Sequence, residues 1–406
     1  MHDADWQYPA ITEQHAYHRM RDTLPGVDGW VYFAFPWATL IDLSWSTERS
    51  KPLREALEAL AAGIDKGCRV FTVCQHVRLL DHIELFESCG VTDIFWSHAA
   101  RGQTCLPGKG KIRLHAFPLY PVQAAGGASD CETNGERPYL FSFIGAQPDE
   151  WYLTRVRETI FETLGEHPRG LVRRRKEWHF RRVVYRSQII GEQETIGQYL
   201  EEKQAAEYVE ILRQSVFSLC PSGSGPNTLR LWESLALGAI PVVLSETWLP
   251  PGDEALWKKA VVFCPETAEA VDALPAKLEK IASNPAEMQA RLEAIDELWR
   301  RYGDGEFIHD IRKMYEAESA RVGDTPLALK PDLAIESLLA LAAHVPAEPA
   351  EDDKLALAFL AGCEMRLSWD RNTFLEALRH TQQLAAAIER CRNLPGASHL
   401  QDADLK

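Results

Sequence analysis

No apolar run in this 406-residue sequence approaches the roughly 18–20 residues that cross a bilayer as a helix. Met1–Tyr17 is polar and acidic and lacks the apolar stretch of a secretory signal. Positive charge is scarce too. Against 59 Asp and Glu there are 44 Lys and Arg, a net charge of −15, which excludes wholesale binding to nucleic acid. The nine cysteines are odd in number and form no C-x-x-C pair, which excludes a zinc ribbon and a disulfide framework and points to reduced thiols in the cytosol. Two nucleotide fingerprints are absent. Gly108, Lys109, Gly110 and Lys111 lack the spacing G-x-x-x-x-G-K-[ST], and Gly223 and Gly225 are followed by Thr228 where G-x-G-x-x-G needs glycine.

The chain is organised around Phe217–Leu244, which reads as strand, turn, helix, strand. Phe217–Cys220 is an apolar run suited to a buried parallel strand, and Pro221–Asn227 is dense in turn formers. Asn227 or Thr228 caps a helix whose stripe is Leu231, Trp232, Leu235 and Ala236; Gly238 ends it, and Ile240–Leu244 is the next strand. A glycine-bearing loop between the carboxyl end of a strand and the amino end of a helix is a seat for phosphate, because free amides and the helix dipole favour an anion. Arg230 in the first helical turn opposes that dipole unless an anion lies between them. The spacing of Arg230 and Glu233 allows either a surface ion pair or a nucleotide site, with Arg230 on a diphosphate and Glu233 accepting from ribose hydroxyls.

Before this stretch, Trp30–Thr39 reads as a strand running into a loop at Pro36, and strands are expected over Arg69–Cys74, Asp93–Trp96 and Arg113–Tyr120. Helices are expected over Lys51–Lys66 and Val77–Ser88. A further strand at Tyr139–Ile144 precedes a helix at Tyr152–Leu164, and late helices fill Glu266–Ser283 and Pro285–Ala317. This alternation predicts parallel sheets wrapped by helices. Four segments follow: an N-terminal Rossmann-like domain over 1–125, a linker over 126–138, a C-terminal Rossmann-like domain over 139–318 and a helical extension over 319–406. In the extension, Phe374, Leu378, Thr381, Leu384, Ile388 and Cys391 form one stripe, a surface for the globular body or for a second copy of the chain. Arg169–Arg186 is a basic run that suits either a solvated face or an anionic acceptor. The acidic run Glu351–Asp353 is read as a solvated loop, and Trp178 as a core residue or a platform for a sugar.

Several of these residues fall into the C-terminal signature of exostosin-type glycosyltransferases. Tyr208, Leu212, Ser215, Phe217, Leu219, Pro221 and Gly223, followed by Arg230, Glu233, Gly238, Ile240, Pro241 and Val242, resemble it in order. Phe141–Gly145 and Arg157 upstream, and Glu246, Leu249 and Pro250 downstream, are similar to its flanks, so the resemblance covers about residues 139–265. It implies a GT-B architecture, two Rossmann-like domains facing a cleft, and an inverting, metal-independent enzyme that moves a sugar from a nucleotide-sugar donor, a UDP-sugar, to a glycan or lipid-linked glycan. The co-substrate is a nucleotide sugar and no cofactor is implied. Donor-binding candidates are Gly145, Arg157, Ser222, Gly223, Ser224, Gly225, Asn227, Thr228, Arg230 and Glu233, with Arg230 also serving catalysis. An inverting transferase needs a base from the facing domain; His98 and His76 each end a strand there, and Asp42 is a third candidate. A manganese-dependent alternative needs Asp-x-Asp after a buried strand, but the triplets are Asp3–Asp5 and Asp402–Asp404, both in polar termini. Eukaryotic members of the family are Golgi membrane proteins. Without an anchor-length run, the expectation here is a cytoplasmic enzyme of bacterial surface polysaccharide assembly, peripheral to the inner membrane. The rival reading is a non-catalytic partner that binds nucleotide sugar or glycan.

Overall fold

The computed structural model describes residues 5–24, 29–106, 112–124, 137–175, 197–303 and 305–323. Most of the expected linker, the basic run beyond Arg175 with Trp178, Gly108–Lys111, Glu351–Asp353, both Asp-x-Asp triplets in whole or part, and the Phe374–Cys391 stripe lie outside the described residues.

The first sheet is parallel in the order β1-β2-β3-β4, with β1 Trp30–Tyr32, β2 Arg69–Cys74, β3 Asp93–Trp96 and β4 Arg113–Ala116. Its helices are α1 Thr12–Thr23, α2 Trp37–Leu43, α3 Thr47–Ala62 and α4 Ile83–Ser88. Successive side chains of a strand point to opposite faces. Val70, Cys74, Ile94 and Trp96 accordingly join Trp37, Leu40, Leu53, Leu57 and Phe86 on one face, while Phe71, Val73 and Phe95 join Ala16 and Met20 of α1 on the other. Both faces are buried, which is why these strands read as continuous apolar runs. The strand expected from Trp30, running into a loop at Pro36, stops earlier, at Tyr32, and α2 begins after Pro36 in place of the loop.

The second sheet has the order β6-β5-β7-β8-β9, all parallel, with β5 Tyr139–Ala146, β6 Gly170–Arg175, β7 Ser215–Pro221, β8 Ile240–Leu244 and β9 Val262–Phe263. Around it lie α5 Val156–Leu164, α6 Gly197–Arg213, α7 Leu229–Ala236, α8 Glu254–Ala260, α9 Ala268–Asp272, α10 Leu274–Ala282 and α11 Pro285–Tyr302. The chain then leaves this sheet. Phe307, and Ile308, Ile311 and Tyr315 in and beside α12 His309–Gly323, pack on Phe71, Phe95 and Phe117 of the first half. The segment placed by sequence at the end of the second domain therefore covers the open apolar face of the first sheet.

Loops at the carboxyl edges join the two halves. Ala100 and Trp248 form an antiparallel bridge, flanked by hydrogen bonds from Arg101 N–H to the Thr247 carbonyl at 2.8 Å and from Leu249 N–H to the Ala99 carbonyl at 3.1 Å. Asn227 extends the seam by donating Nδ2–H to the Ser97 carbonyl at 2.8 Å, while its Oδ1 accepts from Trp232 Nε1 and the Thr228 amide, each at 2.9 Å. Beside it His98 lies on Gly225 so closely that an added Cβ would sit 2.3 Å from the ring's Nδ1.

At the opposite edge of the first sheet, buried Asp93 accepts from Arg69, Arg113 and His115 at 2.8–3.0 Å. Burial alone would raise its pKa, but the bonds from His115, Arg69 and Arg113 outweigh that and hold the carboxyl well below its usual range.

Two predictions follow from this packing. A carboxyl whose folded pKa is depressed stabilises above its unfolded pKa and loses that contribution as pH falls. Asp93→Asn should thus cost about 2–4 kcal/mol at pH 7 because the cations lose their partner, and the gap to wild type should narrow below about pH 4, measured by urea unfolding across pH. A pH-independent gap contradicts the assignment. Gly225→Ala should cost about 1–3 kcal/mol through overpacking, and most of that loss should disappear in combination with His98→Ala. Strictly additive losses would show that the two residues do not touch.

Candidate functional site

The second sheet runs outward from β5 in two directions, to β6 on one side and to β7, β8 and β9 on the other. Its order therefore reverses between β5 and β7. In open α/β sheets the crevice at the carboxyl ends of the strands flanking such a reversal is where ligands bind. Gly145 lies near the end of β5 and the Pro221–Thr228 loop follows β7, so both border that crevice.

Two arginines project there from first helical turns. Arg157 of α5 donates Nε–H to the Ser222 carbonyl at 3.0 Å, and its guanidinium carbon lies 4.7 Å from the Tyr152 ring centre and 5.7 Å from that of Phe143. Arg230 of α7 donates to the Ile144 carbonyl and stacks over Phe143 at 4.7 Å and Tyr208 at 5.3 Å. One phenylalanine ring therefore carries both cations. Arg157 is only 8% exposed; burial first, and then repulsion from Arg230, bring its pKa down to about 10, still charged at neutral pH. Among the described residues no carboxylate lies within salt-bridge distance of either arginine. Arg175, at the end of β6 opposite Ala146, is a third cation nearby, and its pKa too is lowered by burial and by Arg230. Desolvated cations without a counter-ion are costly and call for an anion.

Backbone shape supports the pair. A Cβ on Gly145 would lie 2.8 Å from the Phe143 ring and 3.3 Å from an Arg157 nitrogen, and one on Gly223 would lie 3.6 Å from the other nitrogen. Glycine at 145 lets the guanidinium lie across the strand end. In the loop, the Gly223 amide bonds the Gly225 carbonyl at 3.0 Å, and the Gly223 carbonyl accepts from the Leu153 amide at 2.9 Å. Ser224 is the exposed tip, and Thr228, with extended backbone, is the N-cap of α7.

Other expected ligands are already engaged. Asn227 holds the seam. Ser222 hydroxyl donates to Glu266 Oε1 at 2.6 Å, and Thr154 hydroxyl donates to the same oxygen at 2.9 Å. Glu233, 2% exposed, forms no ion pair with Arg230 among the described residues; its oxygens accept from the Gln123 amide at 3.2 Å and Tyr208 hydroxyl at 2.7 Å, and burial raises its pKa. It joins α7 to the segment leaving the first half and fixes the Tyr208 ring beneath Arg230. The half-buried carboxylate beside the Pro221–Thr228 loop is instead Glu266, whose Oε2 takes no bond from the described residues. Sequence reasoning missed it because it lies beyond β9, on no recognisable pattern.

Across the seam stand the three candidate bases. His98, 7% exposed, has no hydrogen-bond partner at Nδ1, and burial, aided by His76 and opposed by a backbone bond with Gln75, lowers its pKa to about 3. His76 and Asp42, expected as separate candidates, form a pair with Nε2 3.0 Å from Oδ1. The His76 Nδ1 accepts the Arg78 amide at 3.1 Å, which fixes Nε2 as the protonated nitrogen. Gln7, Glu13 and Gln75 surround the pair. Glu13 is 2% exposed and burial raises its pKa to about 8. Nothing in the polar N-terminal stretch announced them.

Comparison with known proteins agrees with this architecture. Residues 100–278 match the exostosin GT47 domain. The chain is 26% identical to Exostosin-1 of Drosophila melanogaster over 198 residues, 46% of this chain and 24% of that protein. It is 38% identical to an Exostosin-1 homolog of Caenorhabditis elegans over 61 residues, 15% and 16% of the two chains, and 33% identical to a probable glucuronosyltransferase of Oryza sativa subsp. japonica over 89 residues, 22% and 20%. It thus spans about a sixth to a quarter of the length of these curated relatives. Among solved structures, the pneumococcal O-GlcNAc transferase GtfA in complex with UDP and GlcNAc aligns with 66% of this chain and 47% of its own, at 13% identity and a TM-score of 0.32. The resemblance read from the sequence is thereby shown: residues 100–278 are similar to the exostosin GT47 domain.

Proposed function

We propose that this protein is a glycosyltransferase that moves a sugar from a nucleotide-sugar donor, a UDP-sugar, to a hydroxyl of a glycan or lipid-linked glycan. The observation that carries the reading is the pairing of buried Arg157 with half-buried Arg230 beside a glycine loop at the switch point, with no carboxylate partner among the described residues. The domain match and the glucuronosyltransferase and exostosin relatives support the same chemistry.

In that reaction the bond from the anomeric carbon to the diphosphate oxygen breaks and its electron pair stays on the diphosphate. An acceptor oxygen attacks from the opposite face, with inversion, and gives up its proton to a group of the first half. Charge therefore grows on the departing diphosphate. Arg157 and Arg230 sit where it would develop, and the Ser222–Thr228 amides at the head of α7 add oriented dipoles; fixed before the reaction, they need no reorganisation. Together they do the work that a divalent cation does in metal-dependent transferases. The free oxygen of Glu266 suits a ribose hydroxyl. Assembly of a bacterial surface polysaccharide is the setting this reading suggests, and no helix among the described residues is long and apolar enough to cross a membrane.

Removing one fixed donor of this kind costs about 10²–10³ in turnover. Arg230→Ala should lower kcat for sugar transfer by at least that factor and leave the thermal midpoint near that of wild type, read as UDP released from a panel of UDP-sugars. Turnover at the wild-type rate would overturn the role. Nucleotide binding without turnover in the wild-type protein would favour the non-catalytic binding partner.

A further inference from the structure

An ionised carboxylate offers about four lone-pair positions, whereas a neutral imidazole offers one. That difference separates the candidate bases. His76 has none to spare, since Nε2–H donates to Asp42 and Nδ1 accepts the Arg78 amide. His98 retains a lone pair at Nδ1, but the atom is sealed beneath Gly225 and an incoming hydroxyl has no path to it. Asp42 accepts one bond on each oxygen, from His76 at 3.0 Å on Oδ1 and from Gln7 Nε2 at 2.6 Å on Oδ2, and keeps capacity for another.

The N-terminal segment fixes this carboxylate from two directions. Gln7 holds it directly and accepts from Gln75 Nε2 at 2.8 Å. Glu13 braces the two elements that carry the pair: Oε2 accepts the Ala38 amide at 3.2 Å, one turn before Asp42 on α2, and Oε1 accepts the Gln75 amide at 3.0 Å, immediately before His76. The Glu13 amide in turn donates to Gln75 Oε1 at 3.2 Å. Pro36, the N-cap of α2, has no side chain that can cap the helix, so a carboxylate from α1 takes that place. A buried polar network satisfied at each of these points is stiff.

We infer that Asp42 is the catalytic group that takes the acceptor's proton, with Gln7 and Glu13 as the positioning residues that hold it. This inference rests on the transferase reading. The acceptor O–H breaks, its proton passes to an Asp42 oxygen, and the oxygen's electron pair forms the new bond to the anomeric carbon as the bond to the diphosphate breaks. The N–H groups of His76 and Gln7 occupy one lone pair on each oxygen and aim the remainder.

The test uses the full chain with UDP-glucose, UDP-N-acetylglucosamine and UDP-glucuronate, water serving as the acceptor. UDP release is read beside UDP affinity by calorimetry and the thermal midpoint. Asp42→Asn keeps the shape but cannot take the proton; release should fall by about 10²–10⁴ with UDP affinity unchanged. Gln7→Ala leaves the carboxylate present but loosely aimed, and should lower kcat by up to about 10²-fold without altering donor KM. Wild-type turnover in Asp42→Asn overturns the base. For Gln7→Ala, an unchanged kcat, or a loss confined to UDP affinity, overturns the positioning role. A wild-type protein that binds UDP yet releases none from any donor overturns the assignment while leaving the nucleotide site standing. One that binds no UDP removes the donor reading beneath it.

Discussion

Two guanidinium groups against one phenylalanine ring set the terms for the second half of the molecule. Arg157 is buried and Arg230 half-buried beside it; the two repel each other and are held by backbone carbonyls and aromatic faces. Carbonyls and π faces attract a cation without cancelling its charge. The rest of the site serves this arrangement. Gly145 gives the guanidinium room, Tyr208 supports Arg230 from below, and Glu233 fixes Tyr208 from the interior, where burial favours its neutral form and limits how much of the arginine charge it cancels.

A charged site at the end of one sheet becomes an active site only if the facing half presents a proton acceptor at a fixed position. The seam does this. Its single bridge with two flanking hydrogen bonds from Ala99–Arg101 to Thr247–Leu249, with Asn227 reaching Ser97, places the loop after β3 against the Pro221–Thr228 loop. Leu249 also packs its side chain on the core of the first half. Polar residues that look like ligands by type are therefore spent on assembly. Asn227 and His98 join the halves, and the unspent acceptor capacity falls to Asp42 on one side and Glu266 on the other.

Where local pattern and tertiary environment agree, the sequence was legible. β2, β3 and β8 have the bounds expected from their apolar runs, and the strand–loop–helix–strand unit around Gly223 is present with Thr228 at its cap. Legibility failed where tertiary contacts decide. β6 carries Arg173, Arg174 and Arg175 in succession because it is an edge strand with wet flanks, so it read as a charge run. Trp37–Leu43 is mostly apolar and too short to give a period with which to tell helix from strand. α1 is not legible as an element, although Thr12, Glu13, Ala16 and Met20 are buried, because half of its inward face is polar and satisfied by partners distant in sequence. Residue types identified Arg157 and Arg230 as candidates. That no carboxylate among the described residues pairs with either arginine is visible only in the three-dimensional arrangement.

The most direct test of that arrangement is titration calorimetry of uridine, UMP and UDP with the wild-type protein at low and at moderate salt. A charge-assisted hydrogen bond contributes about 1.5–3 kcal/mol, so affinity should rise by roughly tenfold or more with each added phosphate, and the gain should shrink as salt is raised. Equal affinities for the nucleoside and its diphosphate would mean that the arginines meet no phosphate, and the account of this site would fail.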